Sequence, residues 1–185
     1  MRSFLPLIAA APLALMACSE SAEQPAAPEM EESSAGATGE QAVAALQTAE
    51  GQPAGTATAT VSDDAIKLVL AVQNLPAGEH GVHVHMVGAC DAPDFTTAGS
   101  HWNPTEQTHG LEGSGGQHAG DMPNLQVNEQ GTGTLEYTLQ GGATFAGLMD
   151  SDGSAFVVHA NADDQRTDPS GESGGRIACG VFTAG

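Results

Sequence analysis

The chain has 185 residues, and its four lysine and arginine residues face 23 aspartate and glutamate residues, which gives a formal net charge of −19. Proteins that bind nucleic acid neutralise phosphates with a basic surface, so this balance argues against a nucleic-acid partner. The length suits one domain with appendages. The 24 glycines and the aromatic content of only 4% predict many turns around a core of small aliphatic residues.

Residues 1–17 have the features of an export signal. The apolar run Phe4–Ala17 is shorter than the roughly 20 residues that a membrane-spanning helix needs. It ends in Leu15-Met16-Ala17-Cys18, which resembles the lipobox of bacterial lipoproteins, where the cysteine is acylated and becomes the mature N-terminus. We therefore predict a periplasmic protein lipid-anchored through Cys18, and Ser19 favours the outer membrane. An ordinary cleaved signal is the alternative, and it too exports the chain.

Residues 18–40 are predicted to form a disordered acidic tether. Residues 19–39 are rich in Glu, Ser, Ala and Pro and contain no Leu, Ile, Val or aromatic residue. Such a segment cannot bury enough apolar surface to offset its ordering entropy. The folded domain is therefore expected to occupy residues 41–185.

From residue 41 onward the chain alternates short strand-like runs with turn residues. Residues 62–64 (Ser-Asp-Asp) are typical of a tight turn, and no long segment has a helical period. Many short strands with Gly-rich turns predict an all-β sandwich or barrel. The predicted strands are Ala42–Thr48, Thr56–Val61, Ala65–Val72, Val82–Val87, Leu125–Val127, Gly133–Leu139, Phe156–Ala160 and Arg176–Phe182.

A long segment between Gly88 and Pro123 lacks strand or helix signals. A loop of this length in a compact domain needs crosslinks to order it. Three cysteines in an exported chain leave one unpaired. If Cys18 carries lipid, Cys90 and Cys179 remain as a pair in an oxidising compartment. We therefore interpret the segment as a metal-binding loop that a disulfide attaches to the domain near its first residues.

All seven histidines lie between His80 and His159. Alternate residues of a strand point to the same face, so His83 and His85 would lie side by side. Within the long loop, three histidines and a carboxylate suit a tetrahedral structural zinc site. The remaining imidazoles make a second metal, with copper favoured, a reasonable addition. The zinc candidates are His101, His109, His118 and Asp121, and the second set is His83, His85 and His159.

Four sequence motifs stand in this order along the chain: Gly81–His85, His101–Pro104, His118–Asp121 and Gly175–Val181. Together with their spacing, they resemble the copper/zinc superoxide dismutases, and the bacterial periplasmic branch in particular. The resemblance covers residues 42–185 in order. It implies a Greek-key, eight-stranded β-barrel with long metal-binding and electrostatic loops, one copper and one zinc per subunit, and superoxide as the substrate.

The resemblance also implies a role for each site residue. It makes His101 a ligand shared by both metals and a catalytic residue, and it makes Arg176 the catalytic residue that attracts the anion. His80 is expected to bind nearby backbone rather than metal, and Asp163 is expected to connect ligands of the two sites. The implied copper ligands are His83, His85, His101 and His159, the implied zinc ligands are His101, His109, His118 and Asp121, and the implied disulfide is Cys90–Cys179.

The sequence departs from the family in its shortage of positive charge. After the signal only Lys67, Arg166 and Arg176 remain, so we expect weaker attraction of anionic substrate than lysine-rich relatives achieve.

Two other functions fit parts of the sequence: a non-catalytic periplasmic module that buffers or delivers copper and zinc, and an acidic tethered scaffold. The oligomeric state, monomer or homodimer, stays open.

Overall fold

The computed structural model describes residues 39–185, so the predicted signal peptide, most of the predicted tether and Cys18 lie outside the described residues. None of the helices in residues 39–185 has the length and apolar character needed to cross a membrane. The strands of this part of the chain are β1 (Gln41–Thr48), β2 (Pro53–Ser62), β3 (Ala65–Val72), β4 (Gly78–His80), β5 (Val82–His85), β6 (Leu125–Val127), β7 (Gly133–Thr138), β8 (Ala155–His159) and β9 (Arg176–Ala184).

Seven strands form one antiparallel sheet in the order β5-β8-β9-β1-β2-β3-β7, and β4 pairs with β6. The inward faces follow the period of two that the sequence shows. On β3, for example, Ile66, Leu68 and Leu70 are buried while Lys67 and Val69 are exposed. Small side chains complete the core on the neighbouring strands, which lets the sheet curl tightly. The core side chains of β1 and β2 include Ala42, Ala44, Leu46, Ala57 and Ala59.

The barrel closes because β4 and β5 act as one strand interrupted at Gly81. β4 pairs with β6, and β5 pairs with β8. β6 leads into β7 through a turn in which Asn128 N donates to Thr132 O at 2.9 Å. Counting β4 and β5 together gives the eight strands that were predicted, and the crossovers between non-consecutive neighbours match the Greek-key prediction. A Cβ at Gly81 would lie 2.9 Å from Ser173 Cβ, so glycine is needed where the last long loop crosses.

Each predicted strand is present, with small shifts at its ends. β5 ends at His85 instead of Val87 because the chain then turns towards the long loop, where Met86 N donates to Ser100 O at 3.0 Å. β4 was missed, since a three-residue Gly-Glu-His strand has no apolar alternation. The one-turn helix α1 (Phe145–Leu148) was also missed; its signal was Thr144, whose hydroxyl accepts from Gly147 N as an N-cap.

The segment 88–123 has the predicted lack of regular structure apart from a 3₁₀ turn at Thr96–Ala98. It is anchored by the predicted disulfide between Cys90 and Cys179, whose Cα atoms are 5.7 Å apart. The covalent link joins the start of the loop to the middle of β9. The loop is thereby held against the strand that begins at Arg176.

Neighbouring residues of β3 provide a test of this core. Leu68 is fully buried and Val69 is 38% exposed. We expect Leu68→Ala to lower the free energy of unfolding by about 2–5 kcal/mol, because it leaves a cavity. Val69→Ala is the matched control and should change it by less than about 1 kcal/mol. Urea denaturation of the metal-loaded variants measures both values, and equal losses would contradict the register of β3.

Candidate metal centre

The long loop, residues 88–123, runs back alongside β5 and places its own histidines beside those of the strand. Isolated backbone bridges join His83 to Asp121 and His85 to His101. Gly120 N donates to Trp102 O, and Trp102 N donates to Val84 O, both at 2.9 Å. A side chain at Gly120 would overlap Val84 O. This close approach explains why the loop carries glycine immediately before Asp121.

Two histidines each have one ring nitrogen held by a carboxylate and the other free. His83 Nε2 donates to Asp163 Oδ2 at 2.6 Å, and His101 Nδ1 donates to Asp121 Oδ1 at 2.9 Å. These bonds leave His83 Nδ1 and His101 Nε2 as lone-pair atoms, because a neutral imidazole carries one hydrogen. Both atoms are buried and have no hydrogen-bond partner among residues 39–185. Buried, unpartnered nitrogens of this kind suit metal coordination.

His85 and His159 are fixed in the same way by backbone carbonyls. His85 Nδ1 donates to Gly99 O at 2.9 Å, and His159 Nδ1 donates to Gly174 O at 3.2 Å. Their Nε2 atoms face each other at 3.4 Å. One ligand atom from each of four buried residues therefore lies within 4.8 Å of the others, namely from His83, His85, His101 and His159.

A second group of four donors surrounds the Asp121 carboxylate. Its Oδ1 lies 2.9, 3.1 and 3.3 Å from Nδ1 of His101, His109 and His118. Its Oδ2 accepts from Gly110 N and from His118 N, which fixes the carboxylate plane. Three imidazole nitrogens and one carboxylate oxygen form the donor set of a tetrahedral zinc site.

The imidazole of His101 belongs to both groups. Its Nδ1 points to Asp121 in the second group, and its Nε2 points into the first. Seven side chains thus supply two sets of four donors. This sharing is possible because the ring offers two nitrogens in opposite directions.

Asp163 forms a hydrogen bond to one histidine of each donor group. Its Oδ2 accepts from His83 Nε2 at 2.6 Å and from His109 Nε2 at 3.0 Å. The residue is itself held by Asn124, whose Oδ1 accepts from Asp163 N and whose Nδ2 donates to Asp163 O, both at 2.8 Å. Sequence reasoning placed Asp163 but missed Asn124 and Gly99. An asparagine just before β6 and a loop glycine carry no signal for such contacts.

His80 is buried but lies outside both groups. Its Nδ1 is 2.8 Å from His159 O, and its Nε2 is 2.9 Å from Pro76 O. Both contacts are to main-chain carbonyls. The ring therefore joins β4 to the end of β8, and it offers no free nitrogen to a metal.

Burial and charge set the protonation of the metal-free site. Burial, together with the neighbouring imidazoles, lowers the pKa of His83 to about 3 and the pKa of His159 to about 4. Burial also acts to lower the pKa of His109, but its bonds to Asp121 and Asp163 outweigh burial and raise that pKa to about 9. The same bonds keep the pKa of both aspartates well below the usual range, although burial alone would raise it.

Arg176 stands at the mouth of the four-histidine group. Its Nη1 donates to Phe95 O at 2.5 Å, and its Nη2 donates to Gly99 O at 2.6 Å. Gly99 O also accepts from His85, so one carbonyl aligns a site histidine and the guanidinium. A cavity of about 170 Å³ opens here. Its lining comprises His85, Ser100, His101, His159, Pro169, Ser170, Gly174 and Arg176.

The fold and these side chains define an all-β metalloprotein with two adjoining four-donor sites beside a small cationic cavity. The family model for copper/zinc superoxide dismutase (SODC) matches residues 53–182, so the chain belongs to the copper/zinc superoxide dismutase family. It is accordingly a superoxide dismutase, and its cofactors are copper and zinc. The donor atoms fit this pair of metals, because an imidazole-rich set suits copper and three imidazoles with one carboxylate suit zinc.

Known proteins similar to this chain agree with that assignment. The Cu-Zn superoxide dismutase of Caulobacter vibrioides is 38% identical over 147 residues, covering 76% of this chain and 84% of the relative. Among solved structures, a SOD-like protein from Bacillus subtilis is 35% identical with a TM-score of 0.69, over 76% of this chain and 97% of its own. The Cu/Zn superoxide dismutase from Brucella abortus is 25% identical with a TM-score of 0.62, over 77% and 99%.

The lowered pKa values predict how metal content responds to acid. Protons and metals compete for the same nitrogens, and His83 and His159 stay neutral in the metal-free fold down to their pKa values of about 3 and about 4. We therefore expect copper to be retained at about pH 5 and released as the pH falls towards about 3. Metal analysis after dialysis measures this, and full retention at the lower pH would contradict it.

The same two histidines predict the acid sensitivity of the metal-free protein. Their folded pKa values lie below the unfolded value of 6.5, so the unfolded chain binds more protons below that pH. The melting temperature of the metal-free protein should therefore fall as the pH decreases from 6.5. A scanning-calorimetry series measures the slope, and a constant melting temperature would count against the burial of these rings.

Proposed function

We propose that the protein dismutes superoxide with a redox-active copper held by His83, His85, His101 and His159, next to a structural zinc held by His101, His109, His118 and Asp121. The observation that carries this proposal is the set of four lone-pair nitrogens that converge beneath the cavity of Arg176. When bound, copper supplies one-electron transfer, so that one superoxide is oxidised to dioxygen and the next is reduced to hydrogen peroxide.

The protein's own side chains supply binding and proton handling. Arg176 presents a permanently charged, planar guanidinium, and the carbonyls of Phe95 and Gly99 keep it in place before any anion arrives. His101 lines the same space. Its ring is anchored through Nδ1, and its Nε2 has no hydrogen-bond partner among residues 39–185. Whenever copper does not occupy His101 Nε2, this atom can hold a proton next to the cavity and donate it to the reduced oxygen species, while the Nδ1 anchor keeps the ring in place. The second proton that hydrogen peroxide requires would come from solvent.

A module that only buffers or delivers metal would need the donor atoms alone. The carbonyl-anchored Arg176 and the cavity above the four histidines serve no purpose in such a module. They favour an enzyme that admits a small anion. The scaffold alternative leaves both donor groups unexplained.

Exported, lipid-anchored placement in the periplasm, at the outer membrane, belongs to the same proposal. The disulfide Cys90–Cys179 supports an oxidising compartment. Acylation of Cys18 rests on its sequence context. We propose that residues 18–40 act as the spacer between the lipid and the domain, which works as a monomer or a homodimer.

Attraction of superoxide is proposed to rest on Arg176 and the metals. Among the Lys and Arg residues within 39–185, Lys67 pairs with Glu136 at 2.7 Å and Arg166 pairs with Glu112, both on the surface. Within residues 39–185, Arg176 has no carboxylate within salt-bridge distance, although the exposed Asp94 acts on it electrostatically. A single guanidinium in so acidic a protein produces little long-range attraction.

Two substitutions test the activity and the copper assignment. We expect Arg176→Ala to lower kcat/KM for superoxide by about 10-fold or more while metal content stays normal, because the anion loses its binding group. We expect His83→Ala to lose copper and at least about 100-fold of activity. Dismutation assays on metal-reconstituted protein, with metal analysis, measure both. Full activity in His83→Ala would overturn the copper assignment.

Removal of one negative charge beside Arg176 tests the attraction. We expect Asp94→Asn to raise kcat/KM by about twofold at low salt, since the cavity mouth becomes more positive. The amide oxygen can still accept from Thr96, as the carboxylate does. Asp63→Asn on the β2–β3 turn is the control for net charge and should have no effect. A steep fall of wild-type kcat/KM with rising salt would contradict weak attraction.

A further inference from the structure

A four-residue segment, 168–171, rests on the zinc-site residue His109 at both of its ends. At one end, Asp168 Oδ1 accepts from the backbone N–H of His109 at 2.6 Å. At the other end, Gly171 has a φ of 62°, and a Cβ there would lie 2.8 Å from His109 Nε2 and would overlap Asp163 Oδ1. The backbone of Gly171 therefore packs directly on the hydrogen bond between His109 and Asp163.

The two residues between these ends form part of the cavity wall. Pro169 and Ser170 line the space that also contains His85, His159 and Arg176. Pro169 lines the adjoining groove next to His118 as well. The segment 168–171 thus contacts a zinc-site histidine at its ends, and its two central residues line the cavity beside Arg176, which is called the anion cavity below.

The turn that carries this segment is braced internally. Gly171 N donates to Thr167 O at 2.7 Å, and Asp164 N donates to Gly171 O at 2.8 Å. The Asp164 carboxylate accepts from the backbone of Arg166 and Thr167. Such a turn moves as a unit, so its position depends on its contacts with the rest of the protein. Asp168 supplies the side-chain contact between this unit and His109.

We propose that Asp168 is a positioning residue that couples the zinc site to the wall of the anion cavity. Three polar groups of His109 are bound by three carboxylates: its N–H by Asp168, its Nδ1 by Asp121 and its Nε2 by Asp163. A zinc ion held by His109 and its partners in the second donor group would fix this residue, and the bond to Asp168 would carry that constraint to Pro169 and Ser170. This inference rests on the proposed zinc site, and it does not require turnover.

The coupling predicts zinc-dependent order in the segment. Hydrogen–deuterium exchange of residues 167–174 is measured on the full chain, prepared copper-free with and without Zn²⁺. In the wild type we expect zinc to slow this exchange by at least about tenfold, because opening the turn then requires breaking the bond to a fixed partner. In Asp168→Ala the slowing by zinc should shrink to about twofold or less.

Two further variants separate the hydrogen bond from charge and from general stability. Asp168→Asn keeps an acceptor oxygen and should behave like the wild type. Glu172→Gln removes one charge from the same loop, and it should also leave the zinc effect unchanged. Asp168 is exposed, so Asp168→Ala should fold. Hydrogen–deuterium exchange in β1–β3 checks the fold and should equal that of the wild type. The zinc dissociation constant from chelator competition should rise about tenfold in Asp168→Ala only.

A small monovalent anion tests the cavity wall itself. With copper and zinc both bound, the dissociation constant of azide should rise a few-fold in Asp168→Ala and stay unchanged in Asp168→Asn. The coupling would be overturned if zinc slowed exchange of residues 167–174 in Asp168→Ala as much as it does in the wild type. It would also be overturned if zinc did not slow this exchange in the wild type. If dismutation fails while zinc-dependent protection is intact, the proposed activity falls and the coupling stands. If dismutation is normal and zinc has no effect on exchange, the coupling falls and the proposed activity stands.

Discussion

The burial of two carboxylates among six imidazoles is the constraint on which the rest of this structure depends. Asp121 and Asp163 are 0% and 4% exposed, and buried charge is costly unless positive charge and hydrogen bonds offset it. In the metal-free protein His109 offers part of that charge, because its pKa is raised to about 9. Metal cations offer more, so metal binding and folding stabilise each other.

This constraint explains why the site is completed by two long loops, residues 88–123 and 161–175, and not by the strands of the barrel alone. The first loop buries a few apolar side chains such as Phe95, Ala98 and Met122, but both loops consist mainly of polar residues and glycine, so apolar packing alone does not order them. The first is held by the Cys90–Cys179 bond and by Asp121, and the second is held by Asp163 and Asp168 on His109. The strands provide a rigid base, and the loops provide most of the chemistry.

Charge is distributed unevenly between surface and site. The surface cations Lys67 and Arg166 pair with carboxylates, whereas the guanidinium of Arg176 is held by main-chain carbonyls and forms no salt bridge within residues 39–185. A strongly acidic surface keeps the protein soluble and still permits one local site of positive potential. The site thus combines an anion-repelling exterior with a short-range anion-binding group.

The sequence by itself determined the strand pattern and predicted the candidate metal ligands, because strand periodicity and histidine spacing can be read directly from the chain; the structure brings these candidates together in two groups. It could not determine which ring nitrogen of each histidine is free. That choice is made by Gly99, Gly174, Asp121 and Asp163, which lie far away in sequence from most of the rings they hold. Nor could it place Asp168 on His109, 59 residues apart. Only tertiary structure decides such contacts, because they depend on where two loops meet in space.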